Sequence, residues 1–206
     1  MSEQDFDQTL ITAAFRLAAE DGWPRVTIVG AARSAGLALA EARVRFPGKH
    51  TLLRRFGQLV DQAALAGASG EGPVRDQLFD LLIGRFEAMK PHREGVGALL
   101  RHLPRDPATA VLLTCATRRS MRWMLQAAGC SAGGLRGELR VRGLMAVWLW
   151  TLRAFERDET DDLAPTMAAL DTALSRAHTV ASWLAGERAA REAGGDEAME
   201  DQVAGQ

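Results

Sequence analysis

The sequence predicts an all-α protein in two parts with about nine helices. Three observations carry this. Ala, Leu, Arg, Glu and Met dominate, and period-two β-branched runs are absent. Glycine and proline fall mainly between apolar-periodic segments, where they end helices. The densest such break, Gly67 to Pro73, holds three glycines and a proline in seven residues and divides the chain. The 206 residues are 47% hydrophobic and 25% charged, enough for a proper core, and this excludes whole-chain disorder and fibrous classes.

The first helix is expected over 6–20, with Phe6, Leu10, Ala14 and Leu17 on its apolar face and Asp21-Gly22 closing it. Thr27 is placed to cap a short second helix that ends near Ala35-Gly36. A third short helix covers 38–45 and stops at Phe46-Pro47-Gly48; a fourth runs from about His50 to Ala66. Beyond the linker, helices are expected over 74–90, 92–103, 107–128, 135–157 and 165–187. The spacing thus divides the chain into a part over 1–66, a part over 74–187 and a Gly-, Glu- and Asp-rich flexible tail over 188–206.

The last helix carries a heptad seam of Leu163, Met167, Leu170, Leu174, Ala177, Ala181 and Leu184. In the helix before it, Leu144, Val147, Trp148, Thr151 and Phe155 form one stripe, and Met145, Leu149 and Leu152 a neighbouring one. So wide an apolar arc must be covered on two sides, one by the parent domain and one by a second subunit. Leu144, Trp148, Met167, Leu170, Leu174 and Ala181 are therefore expected at a homodimer interface.

Catalytic chemistry is not evident. The four histidines are scattered without metal-ligand spacing, no G-x-S-x-G is present, and the glycine run at 67–72 lacks the ending of a phosphate loop. Neither an enzyme nor a cofactor is expected. Cys115, on a helix among Leu112, Leu113 and Ala116, reads as a buried structural thiol, and the two cysteines need no disulfide framework, which fits a cytoplasmic protein. The acidic N-terminus is unlike a signal peptide, and the apolar run Leu144–Trp150 is too short to span a bilayer. The acidic residues at 158–162 lack calcium-loop spacing and read as complements to the dipole of the helix that follows.

Charge distribution is more informative. From Gly22 to Phe56 there are seven basic residues, Arg25, Arg33, Arg43, Arg45, Lys49, Arg54 and Arg55, against Glu41 alone. That local net charge of +6 sits in a chain whose total is -1. With short helices separated by tight turns, it is the electrostatic footprint of a helix-turn-helix that binds nucleic acid. Arg43 and Arg45 could pair with guanine or phosphate and Glu41 with cytosine N4, or Glu41 and Arg45 could pair with each other at i, i+4. Arg118, Arg119 and Arg122 share one helix, as a solvated face or, with one turned inward, as a site for an anionic effector.

The segment from Ala13 to Trp23, then Val26-Thr27, Ala31 to Leu37, Phe46 to Lys49 and Leu52-Leu53 together resemble the DNA-binding domain of TetR-family transcriptional regulators. The family's spacing holds without a gap from Ala35 to Lys49. The resemblance implies phosphate contacts at Thr27 and Lys49, a third helix in the major groove, and DNA contacts at Arg33, Glu41, Arg43 and Arg45. It further implies a C-terminal pocket for a small apolar effector, with Phe86, Met89, Met121, Trp123, Met124 and Trp148 in range. A homodimer reading a near-palindromic operator, most simply as a repressor, would follow. The third helix departs from the family pattern, carrying Ala38, Leu39, Ala40 and Val44 where polar residues are usual. That departure resembles the lipid-binding accessory protein of ubiquinone biosynthesis, which has a TetR-like fold and does not read DNA.

Overall fold

A computed structural model describes residues 2–67, 70–177 and 179. Among them the secondary structure is helical, without strands. The helices are α1 (Glu3–Asp21), α2 (Ile28–Ser34), α3 (Leu39–Arg45), α4 (Lys49–Ala66), α5 (Val74–Met89), α6 (Arg93–His102), α7 (Pro107–Ala127) and α8 (Gly134–Arg157). A ninth, α9, is described over 164–177. The expected boundaries hold to within three residues at the described ends.

Local chemistry explains where helices begin and end. α1 starts at Glu3 rather than at the expected Phe6 because Ser2 and Asp5 form a reciprocal cap. The Asp5 N–H donates to Ser2 Oγ at 3.1 Å, and the Ser2 N–H donates to Asp5 Oδ2 at 2.8 Å. Thr27 caps α2 by accepting the Gly30 N–H at 2.9 Å. Gly36, at φ 66°, turns the chain out of α2, and the Leu37 N–H closes the end on Ala32 O at 2.8 Å.

The expected parts 1–66 and 74–187 meet along α1–α6, α4–α5 and α4–α7. Phe15 on α1 lies 4.5 Å from the Phe56 ring and 5.5 Å from the His92 ring, so one core runs through the junction. Burial pushes the pKa of His92 down, favouring a neutral ring among these aromatics.

Three sequence expectations need correction. The α9 seam is consumed inside the protomer, where Leu163, Leu170 and Leu174 are buried and Met167 and Ala177 half-buried. On α8, Leu144 and Trp148 are likewise buried, Trp148 stacking on Phe86 at 4.4 Å. Leu144, Trp148, Leu170 and Leu174 are therefore packed against neighbouring helices of the protomer, while Met167 and Ala177 keep part of their surface open; Ala181, Leu184 and the tail over 188–206 lie outside the described residues. Finally, Cys115 is exposed, because the core-facing arc of α7 runs through Ser120, Met121, Met124 and Leu125 instead.

Candidate functional site

α2, the turn at Gly36 and α3 form a helix-turn-helix, with α1 and α4 packed behind it. A small core holds it, including Phe6, Leu10, Trp23, Ala31, Ala42 and Phe46. Ala42 is the one buried residue of α3, and Leu39, Ala40, Glu41, Arg43 and Val44 are exposed. The helix therefore lies on the surface with most of its circumference open.

The expected contact residues divide into two groups. Arg33 and Glu41 are exposed and have no ion pair or hydrogen bond among the described residues. Arg43 is exposed and donates to Pro47 O at 3.2 Å. Lys49 starts α4 with its ammonium 3.4 Å from Trp23 O and 5.4 Å from the centre of the Trp23 ring. Thr27 is exposed with its hydroxyl at the α2 cap. Thr27, Arg43 and Lys49 line a cleft of about 380 Å³ between α2, α3 and the start of α4, whose walls include Val26, Val29, Leu39 and Phe46, whereas Arg33 and Glu41 lie outside it.

Arg45 is the exception. Its guanidinium turns back onto α1, donating to Asp7 Oδ1 at 2.9 Å and to Glu3 O at 3.0 Å. The bond to Asp7 raises its pKa. The alternative Glu41–Arg45 pairing is not formed; Arg45 is instead engaged by Asp7 on the α1 side of α3.

Sequence reasoning missed Asp7. It sits between Phe6 and Leu10 on the buried face of α1 and joins Arg45 to Arg55, whose Nε donates to Asp7 Oδ2 at 2.6 Å. The available signal was an acid on an otherwise apolar helical face.

In the body, the residues expected near an effector separate as well. Phe86, Met89, Met121, Met124 and Trp148 are buried, whereas Trp123 is 60% exposed and leaves the group, being a face away from Met121 and Met124 on α7. Beside Trp148 lies Arg85, paired with Asp61 of α4, which also accepts from Ser120 Oγ at 2.5 Å. Arg85 stands over the Trp148 ring at 4.6 Å, its Nε is buried without a partner, and burial pushes its pKa down. Of the arginine run on α7, Arg118 and Arg122 are both taken by Glu138, at 2.6 Å and 3.0 Å. Among the described residues no group of three or more His, Cys, Asp or Glu is placed to hold a metal, and no helix is long and apolar enough to cross a membrane.

Neither a family model nor a curated protein matches the chain. Solved structures do. A TetR transcriptional regulator from Nitrosomonas europaea superposes with a TM-score of 0.69 at 19% identity, over 84% of this chain and 98% of that one. A TetR-family regulator from Streptomyces coelicolor gives 0.64 at 20% identity, over 91% and 85%. One from Rhodococcus gives 0.58 at 18% identity, over 85% and 97%. The chain has the fold of TetR transcriptional regulators, along nearly the full length of such proteins.

Proposed function

We propose that the chain is a transcriptional regulator of the TetR type that binds DNA as a homodimer and responds to a small effector. The observation that carries this is the open face of α3 beside α2, with Thr27, Arg43 and Lys49 lining the cleft between them and Arg33 exposed on α2. Thr27 and Lys49, at the starts of two helices, are suited to backbone phosphates. Arg43 is suited to guanine and Glu41 to cytosine N4. Two such headpieces related by a two-fold would take a near-palindromic operator, and occluding it would repress.

The second subunit would cover the outer stripe of α8, where Leu135, Leu139, Leu149 and Trp150 are each at least half exposed. An effector entering among Phe86, Met89, Met121, Met124 and Trp148 would press on Arg85, and through Asp61 on α4, which begins in the headpiece. Such a ligand would shift the population between DNA-competent and incompetent forms.

One observation favours a second reading, an accessory protein that binds lipid or isoprenoid without reading DNA. Val29, Leu39 and Val44 are 49%, 41% and 82% exposed, an apolar surface where base-reading donors belong.

An anisotropy titration with the duplex flanking the chain's own gene separates the two. The regulator reading expects salt-sensitive, sequence-selective binding that Arg33→Ala and Arg43→Ala each weaken at least tenfold. Binding absent even at low salt ends it and leaves the lipid reading.

A further inference from the structure

Where α3 and α4 approach α1 and α7, a second cleft of about 480 Å³ opens. Four arginines line it, Arg45, Arg54, Arg55 and Arg119, and Asp7 is the one carboxylate among its lining residues. Asp7 is already spent, with Oδ1 2.8 Å from Arg45 and Oδ2 2.6 Å from Arg55. Arg54 and Arg119 have no ion pair or hydrogen bond among the described residues, although both are arginines in one concavity. Arg119 is the member of the α7 run that Glu138 does not take. Thr51 and Gln58 add neutral donors to the same walls.

Convergent guanidiniums repel one another, and a forked guanidinium matches a carboxylate or phosphoryl group with two parallel hydrogen bonds. We propose that this cleft binds a compact oxyanion of two or more negative charges, a phosphoryl compound or a polycarboxylate. The site is separate from the face of α3 offered to a duplex. Arg45 follows Arg43 by two residues, about 200° round the helix, so the two guanidiniums leave α3 on opposite sides. Arg45 belongs to α3, Arg54 and Arg55 to α4, and Arg119 to α7, so an occupied cleft ties the reading helix to the body. The site stands on its own geometry, whether or not the chain reads DNA.

The test is calorimetric titration of inorganic phosphate, and separately of citrate, into the full chain at low ionic strength with no duplex present. The expected result is saturable binding of one anion per protomer. Arg54→Gln and Arg119→Gln should each weaken it about tenfold, the size of one lost charge-assisted hydrogen bond, and Arg43→Gln should leave it unchanged. Whether phosphate or citrate binds more tightly assigns the ligand to the phosphoryl or the polycarboxylate class. Neither variant breaks an ion pair, and circular dichroism checks that both are folded. No saturable heat from either anion, or binding that both variants leave intact, overturns the proposal. If neither anion binds while Arg119→Gln weakens duplex binding as much as Arg43→Gln does, the cleft belongs to the DNA interface: the anion site falls and the regulator reading stands.

Discussion

Asp158 fixes the entry to α9 with a single buried carboxylate. Its Oδ1 accepts the Thr160 N–H at 3.0 Å and hydroxyl at 2.6 Å, and its Oδ2 accepts the Thr166 N–H at 3.0 Å and hydroxyl at 2.5 Å. Burial acts to raise its pKa, but these four donors outweigh it and hold the carboxyl at about 2, against an ordinary 3.8. The folded-state value lies below the unfolded one, so the stabilisation is complete above the ordinary value and is lost as pH falls from about 4 toward 2. Asp158→Asn keeps one acceptor and loses the charge, and should cost about 2 kcal/mol in urea unfolding at pH 7. Its stability should also change less than the wild type's between pH 4 and pH 2; equal slopes would refute the assignment. The sequence shows four acids ahead of a helix, which places a helix start there. Which acid is buried depends on the loop path through Leu163, at φ 56°, and only the packed chain decides that.

At the level of elements, the crossing of α1 over α6 sets how the headpiece sits on the body. Gly95 allows it: a Cβ there would lie 2.2 Å from Phe15 O and 2.8 Å from Phe15 C, both backbone atoms that cannot yield without moving a helix. Gly95→Ala should therefore cost about 3 kcal/mol or more in a thermal or urea melt. Gly97→Ala, two residues on, meets the flexible end of Arg101 at 3.0 Å and gains helix propensity, so it should stay within about 1 kcal/mol of wild type. Equal losses would mean that the crossing is looser than described. The helices themselves were legible because their ends are written in local chemistry, as with Thr27 before α2 and Gly36 after it. Even the earlier start of α1 was signalled by Ser2 and Asp5 at capping-box spacing. The partners of each face were not legible. The seam through Leu170 and Leu174 says that this side of α9 is covered, and the same pattern serves a neighbouring helix of the protomer or a second subunit.

The whole assembly turns on which arc of α8 remains after the protomer has closed. The stripe of Leu144, Val147, Trp148, Thr151 and Phe155 is buried, with Trp148 and Phe155 packed on Phe86. Of the neighbouring stripe, Met145 and Leu152 are half-buried, and the opposite arc stays open, with Leu135 at 75%, Leu139 at 54%, Leu149 at 51% and Trp150 at 50% exposure. The width of the arc raises the expectation of two-sided coverage; which stripe the protomer itself takes needed the position of Phe86, which comes from another helix. A two-fold axis beside α8 would bury this stripe against its own copy, because an isologous interface needs one self-complementary patch. Leu139→Glu with Leu149→Glu places charge in the middle of that patch while touching no buried side chain, so folding should survive. Light scattering should then give about twice 22.3 kDa for the wild type and about 22.3 kDa for the double variant. The same variant should lose duplex affinity by tenfold or more with its headpiece unaltered, because the second half-site contact is no longer intramolecular. A double variant that remains dimeric would move the interface elsewhere, and one that turns monomeric yet binds duplex undiminished would separate dimerisation from DNA reading.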